Sequence, residues 1–349
     1  MTRVLIVGTG GMANAHVEAY RTIPDVQVVG GVDTSAENLA AFCEQWDVPH
    51  RFASVNDALA WGEFDAVSNV TPDAVHHRTT MPLLAAGKHV LCEKPLAINH
   101  ADATDMAQAA QAAGVVNMVN LTYRNVPALI HAADLIAQGA IGEVRHFEAS
   151  YLQSWLVQPA WGDWQTEDQW LWRLSSAHGS MGVLGDVGVH IVDYATFAAG
   201  SDVARVSCRL KTFAKAAGDR IGPYHLDAND SMSMHLALQN GATGVLHASR
   251  FAAGHHNDLT LRIFGTKGGL KISFEKATSH LTACLGDDLL TGHWTDVETP
   301  AVQTNYARFI AAIRDGQPVG PDFARGAALQ RVLDAAVVSD INRSSDQEV

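Results

Sequence analysis

The sequence predicts two domains. The first is an α/β N-terminal Rossmann domain with a doubly wound parallel sheet, over residues 1–124. The second is an α+β C-terminal domain with a large, mostly antiparallel open sheet, over 125–349. Three observations predict this. Apolar strand-like runs alternate with helical segments through the first third of the chain. A glycine-rich stretch joins the first strand to the first helix. Beyond residue 125 the pattern changes to period-two runs joined by hairpin signals. A chain of 349 residues is also long for a single hydrophobic core.

The elements follow in order. "RVLIVG" (3–8) reads as a strand buried on both faces, and "GMANAHVEAYRTI" as a helix stopped before Pro24. "VQVVGGVD" (26–33) is a strand, and 35–46 a helix with Ser35 or Thr34 as N-cap. "FDAVSNV" (64–70) is a strand, followed by a helix that stops at Gly87. "HVLCEKP" (89–95) is a strand, 99–114 a helix ending at Gly114, and 115–123 a final strand. In the second part, 144–155, 204–214, 230–238, "VLHASRF", "LTLRIFG" and "LKISFE" make about six strands. Asn240-Gly241 and "TKGG" are the hairpin turns. Two amphipathic helices close the chain and pack on the body.

Composition excludes several classes. The formal net charge is −13, without basic runs, which argues against nucleic acid and against anionic membrane surfaces. The N-terminal apolar run is too short for a signal peptide or a membrane span. The four cysteines, Cys43, Cys92, Cys208 and Cys284, form no C-x-x-C pair. They read as buried thiols of a cytoplasmic protein, not as a disulfide frame or a zinc site. No metal is expected, because none of the 17 histidines pairs with cysteines at ligand spacing.

Gly8, Gly10 and Ala13 form a G-x-G-x-x-A pattern between the first strand and the first helix, with Gly11 and Met12 inside it. Gly8 permits the tight turn, Gly10 lets the backbone approach a pyrophosphate, and Ala13 allows close packing. Asp33 ends the second strand, where it would accept hydrogen bonds from ribose hydroxyls and repel a 2′-phosphate. NAD is therefore expected, with NADP disfavoured. "CEKP" sets Glu93 and Lys94 at the carboxyl end of a parallel strand, where open α/β sheets bind ligands. Lys94 is either a substrate-facing group or a solvated surface lysine. Pro95 restricts it to extended geometry and admits a cis peptide. "GVLGDVGVHIVDY" (182–194) carries Asp186 and His190. On a helix they share one buried face, as a structural hydrogen bond, a metal half-site or an acid–base pair. Five of the eight tryptophans fall within 154–173, either as a packed core or as a wall for a ligand to stack on.

Together "VGTGGMA", "VTPDAVHH", "AAGKHVLCEKPLA" and "GDVGVHIVD" resemble, in this order, the glucose–fructose oxidoreductase / inositol dehydrogenase / MocA family. The resemblance implies a dinucleotide loop at Gly8, Gly10, Gly11, Met12 and Ala13, and a ribose-binding acid at Asp33. It places Thr71 and Pro72 under the nicotinamide ribose, His76 beyond them, and Glu93 and Lys94 at the nicotinamide. Asp186 and His190 face the substrate, and Trp172-Arg173 resembles the W-R pair that approaches the nicotinamide end or the substrate. Arg124 and Trp155 join the substrate side. Thr122, Asn125 and "GSMG" (179–182) depart from the family's pattern.

The expected activity is hydride transfer between a secondary alcohol of a sugar, anhydrosugar or cyclic polyol and the nicotinamide. His190 would take the hydroxyl proton, Lys94 would stabilise the developing alkoxide, and Asp186 would accept from a neighbouring hydroxyl or orient the base. Two other readings stay open: NAD-assisted glycoside cleavage, and a non-catalytic sugar or dinucleotide sensor. A homodimer or homotetramer through the C-terminal sheet is expected. Trp172 is assigned to the active site, Trp155 to the same pocket, and Trp161, Trp164 and Trp170 to interface or loop packing.

Overall fold

Strand β1 (Thr2–Val7) is apolar from Val4 to Val7 and buried there on both faces, so it needs a paired strand on each side and helices above and below. In the computed structural model, which describes residues 1–159 and 161–349, it has both. Helix α1 (Gly11–Arg21) leads to β2 (Val26–Val32), α2 (Ala36–Trp46), β3 (His50–Phe52), α3 (Val55–Trp61) and β4 (Ala66–Asn69). Then come α4 (His76–Ala85), β5 (His89–Cys92), α5 (His100–Ala113) and β6 (Asn117–Val119). The strand order is β3-β2-β1-β4-β5-β6, with every pair parallel. The order reverses between β1 and β4, and that switch point is where such sheets receive a ligand. Helices α2, α3 and α5 begin on Ser35, Ser54 and Asn99, whose side chains accept first-turn N–H groups.

The second part starts with α6 (Pro127–Ala137) and β7 (Val144–Leu152). A short α7 (Asp168–Leu171) follows, then a π-turn (Leu184–Gly188) running into α8 (Val189–Ala199). Strand β8 (Val203–Lys211) precedes a two-residue hairpin, β9 (Arg220–Ile221) and β10 (Tyr224–His225). Next come β11 (Ser231–Leu238), β12 (Thr243–Ser249), β13 (Asp258–Gly265), β14 (Gly268–Glu275) and β15 (Thr278–Leu285). The chain ends with α9 (Asp288–Thr291), β16 (Thr295–Asp296), α10 (Asn305–Asp315), α11 (Phe323–Ile341) and β17 (Gln347–Glu348). The nine-stranded sheet runs β16-β15-β14-β13-β7-β12-β11-β8-β17, antiparallel except for the β7–β12 pair. Its strands alternate buried and exposed positions, as β11 shows with Met232, Met234, Leu236 and Leu238 all buried. Helix α8 is buried almost all round, as a helix packed on both sides must be. No helix among the described residues is long and apolar enough to cross a membrane.

The chain divides into two compact units, Met1–Leu121 with Gln303–Gln330, and Thr122–Val302 with Arg331–Val349. A two-segment division at residue 124 does not anticipate the return of 303–330 to the first unit. There Tyr306, Phe309 and Ile310 of α10 join the core formed by Val4, Ile6, Val17, Tyr20 and Phe42. The strand expected over 115–123 is only Asn117–Val119, because a 3-10 turn occupies Thr122–Asn125. The sheet also has more strands than the six expected. The β14–β15 hairpin turns through Lys276 and Ala277 at positive φ, with neither the Gly nor the Asn that such turns favour. The four cysteines are unpaired and buried.

Gly8 sits at the switch point with φ +88°, and a Cβ there would lie 2.7 Å from Val70 O. The Gly8→Ala variant should lose at least about 1–2 kcal/mol from the left-handed backbone alone, and more from the clash. Thermal unfolding measures it; an unchanged midpoint would show that the loop relaxes freely.

Candidate functional site

In the first unit the glycine loop is open. Gly10, Gly11 and Met12 are exposed, and Ala13 is fully buried against the sheet. A Cβ at Gly10 or Gly11 would meet nothing within 4 Å. Helix α1 starts at Gly10 without a side-chain cap or an acidic first turn. Its first-turn N–H groups can therefore be satisfied by a ligand anion, and this fits the pyrophosphate of a dinucleotide. Asp33 accepts from Thr9 N and Thr9 Oγ1, both at 2.8 Å, and from Ser35 N at 2.8 Å. It pins the glycine loop to the end of β2 and leaves its remaining lone pairs for a ribose.

Glu93 and Lys94 part company at the end of β5. Lys94 is half-buried and its peptide with Pro95 is cis. The Glu93 carboxylate turns inward. His16 Nε2–H donates to Glu93 Oε1 at 2.9 Å, Asn120 Nδ2 donates to the same oxygen at 2.6 Å, and Lys94 N–H donates to Oε2 at 3.3 Å. His16 Nδ1 lies 3.0 Å from Ser68 Oγ, and Asn120 Nδ2 also reaches Tyr306 OH at 3.0 Å. Burial pushes the Glu93 carboxyl up, but the His16 bond and charge, Lys94 and Asn120 outweigh it and hold it at about 2. Glu93 thus fixes the strand end that carries Lys94. Sequence reasoning missed its partners, although His16 lies on the otherwise apolar face formed by Ala13, Val17 and Tyr20.

Thr71 and Pro72 follow β4. Thr71 Oγ1 donates to Asn69 Oδ1 at 2.7 Å, and Asn69 Nδ2 donates to Thr79 and Thr80. His76, expected beside the cofactor, is fully buried with both ring nitrogens engaged by main-chain carbonyls. It supports the loop and does not line a surface a ligand could reach.

In the second unit Asp186 lies in the π-turn, not in the α-helix expected, and His190 in the first turn of α8. The Asp186 side chain is about one-third exposed and accepts from the fully buried Arg250, Nη2 to Oδ2 at 2.9 Å. The same guanidinium reaches Arg173 O from Nη1 at 3.2 Å and lies 5.1 Å over the Trp155 ring. Arg250 was not singled out from the sequence. The signal was its place one residue past β12, continuing the inward phase of Leu246 and Ala248. His190 is 6% exposed and meets the Tyr123 ring edge-on, centroids 4.9 Å apart, with Tyr151 at 6.3 Å. The two tyrosine hydroxyls bond each other, Tyr151 OH donates to Asn257 Oδ1 at 2.9 Å, and Gln153 Nε2 donates to it at 2.7 Å. Burial, with Asp186 and Asp258, pushes Tyr123 up to about 12 against the Tyr151 bond, and burial raises Tyr151 too. Both remain neutral phenols beside His190 at neutral pH.

Two substrate assignments change. Arg124 makes a bidentate pair with Asp193, Nε to Oδ2 at 2.6 Å and Nη2 to Oδ1 at 2.8 Å, and stacks 3.6 Å over Phe197. Paired and 8% exposed, it ties the Thr122–Asn125 turn to α8 and is spent on structure. Trp155 is 4% exposed and donates its indole N–H to Gln153 Oε1. It packs with Leu156, Trp164, Leu171, Leu174 and Leu226, and Trp161 and Trp170 border this satellite core. Trp172 lies outside the cluster, partly exposed, with the Arg173 guanidinium 4.6 Å over its ring.

Comparison with known proteins bears on both units. The family model described as an oxidoreductase family, NAD-binding Rossmann fold, matches residues 2–121. The GFO/IDH/MocA C-terminal domain model matches 129–271. The chain is 27% identical to levoglucosan dehydrogenase of Pseudarthrobacter phenanthrenivorans, over 97% of this chain and 96% of that protein. It is 30% identical to 1,5-anhydro-D-fructose reductase of Ensifer adhaerens, over 77% of this chain and 75% of that protein. Among solved structures, levoglucosan dehydrogenase in complex with NADH and levoglucosan superposes with a TM-score of 0.88 at 27% identity, covering 100% of this chain and 99% of that one. An oxidoreductase domain protein from Kribbella flavida also gives 0.88, at 32% identity and full coverage of both chains.

Two outcomes are expected here. The depressed Glu93 carboxyl contributes stability that is complete above its ordinary value of 4.5 and lost as pH falls toward about 2. The stability gap between wild type and Glu93→Gln, on the order of 3 kcal/mol at pH 6, should therefore close over that window in chemical denaturation; a gap constant with pH would deny the carboxylate this role. The Arg250→Met variant strands Asp186 without its cation. It should lose about 3 kcal/mol, the low end for a broken buried pair since Asp186 is partly exposed, and Arg250→Lys should recover part of the loss.

Proposed function

The chain belongs to the GFO/IDH/MocA oxidoreductase family, and from that membership we propose that it is an NAD-dependent dehydrogenase of a sugar, anhydrosugar or cyclic polyol. The observation that carries the reading is Lys94, a half-buried cation that the anchored Glu93 holds at the carboxyl end of β5. A cation so placed suits a reacting oxygen that gains negative charge. Likeness along the whole chain to levoglucosan dehydrogenase supports an anhydrosugar within this class.

The roles divide as follows. NAD supplies the hydride acceptor when bound. The open glycine loop and the uncapped α1 N-terminus receive its pyrophosphate, and Asp33 accepts from its ribose. Asp33 also disfavours a 2′-phosphate, which is the argument for NAD over NADP. Lys94 orients the substrate hydroxyl and steadies the alkoxide. His190 receives the hydroxyl proton. Asp186, kept paired by Arg250, accepts from a second substrate hydroxyl, and Trp172 with Arg173 offers a stacking edge. The protein assembles with further copies of itself through the outward face of the nine-stranded sheet.

The test is a panel of anhydrosugars, inositols, aldoses and glycosides with NAD or NADP, followed by absorbance of the reduced cofactor. Net reduction with an anhydrosugar or polyol is expected. Aglycone release without net reduction would move the reading to glycoside cleavage, and binding without turnover to a sensor. On the best substrate, Lys94→Ala should cut turnover about 10²-fold or more. His190→Asn should lose activity and flatten the pH–rate profile near neutrality; a retained limb would assign the proton to another group.

A further inference from the structure

His76 opens α4 and is fully buried. Its Nδ1 lies 2.9 Å from Pro95 O, and its Nε2 lies 2.7 Å from Thr71 O. A carbonyl oxygen only accepts hydrogen bonds, and a neutral imidazole carries a single N–H. Either neutral tautomer would press a nitrogen lone pair against a carbonyl lone pair, at hydrogen-bond distance and without water to intervene. The doubly protonated ring satisfies both carbonyls at once. Cys92 on β5 and Asp73 in the turn before α4 face it. Burial works against the charge. Cys92, Asp73 and the Thr71 carbonyl favour it, and the ring is pushed up to about 10.

We propose that His76 is held as an imidazolium at neutral pH and acts as a positioning residue, clamping the Thr71–Pro72 loop after β4 to the Lys94–Pro95 segment after β5. The β4–β5 ladder runs to Asn69 and Cys92, with Glu93 N–H donating to Asn69 O at 2.9 Å. Beyond that point the two loops leave the sheet. His76 takes over where the ladder stops, using two charge-assisted donors on one rigid ring. An Asn or Gln side chain cannot replace it, because its donors sit on one nitrogen and its own carbonyl would face the second acceptor. The positioning role rests on the reading of these loops as the cofactor half of an NAD enzyme; the charge state does not.

The experiment uses the full chain labelled with [15N]histidine. Long-range 1H–15N spectra are recorded between pH 6 and 9. One histidine should keep both ring nitrogens protonated at pH 9, far above the ordinary value near ~6.5. Its resonances should vanish in His76→Gln, and should shift in Cys92→Ala. The charge is refuted if no histidine of the wild type stays doubly protonated at pH 8, or if the persistent signal survives in His76→Gln and ignores Cys92→Ala. NADH titration by fluorescence then tests the clamp. A folded His76→Gln should bind NADH about 10-fold or more weakly, the loss expected for a charge-assisted bond. It should also raise KM for NAD more than it lowers kcat. Unchanged NADH affinity would reduce His76 to a structural ion. Because the spectra need no substrate, an imidazolium in a protein that turns over nothing on the panel would sink the dehydrogenase reading and leave the charge standing.

Discussion

The first unit is organised around one buried carboxylate. Glu93 lies beneath the switch point and gathers His16 from α1, Asn120 from beyond β6 and, through Asn120, Tyr306 from α10. Ser68 of β4 and Tyr20 of α1 complete the set through His16 and a shared hydroxyl. Burying a carboxylate is unfavourable unless its lone pairs are filled, and a half-filled network is worse than none. Each member is therefore constrained by the others. The end of β5 cannot move without breaking bonds to segments as far away in sequence as residue 306. That rigidity fixes the strand end that carries the half-buried Lys94.

The parts of this fold that were legible in sequence are those whose causes are local. The apolar run of β1, the turn at Gly8, the cap at Ser35 and the Asn240-Gly241 hairpin each carry their reason within a few residues. What stayed hidden has distant causes. Residues 50–61 make β3 and α3 although their own pattern is weak, because β3 is an edge strand paired only to β2. The β14–β15 turn lacks a glycine. The return of 303–330 depends on an apolar face that α10 shares with α1 and β1. The site divides the same way. Lys94 in the first unit and Asp186 and His190 in the second belong to short motifs, whereas Arg250, just past β12, and Tyr151 of β7 meet Asp186 and His190 within the second unit from far along the chain.

The tryptophan-rich segment joins packing to chemistry. Trp155 and Trp164 are too buried to serve as an open wall, and their cluster is a small core under a long connection. Its value to the site is indirect. It seats the Arg250 guanidinium against the Trp155 ring and brings the Arg173 carbonyl to it, so the carboxylate of Asp186 meets a cation whose position is settled by packing. Aromatic bulk here builds a packed floor, and the partly exposed edge is left to Trp172.

The π-turn at Leu184–Gly188 has a further consequence. Such a turn holds one residue more than an α-helical turn needs, so everything upstream is rotated by about 100° about the axis relative to an unbroken helix. Helix α8 keeps its seat against the sheet, and His190 with it. Removing or adding a single residue in this turn would therefore re-aim Met181 to Asp186 as a block against a stationary His190. The turn is thus a rotary setting for the Asp186 carboxylate, adjustable by one residue of chain length in front of a helix that is buried almost all round.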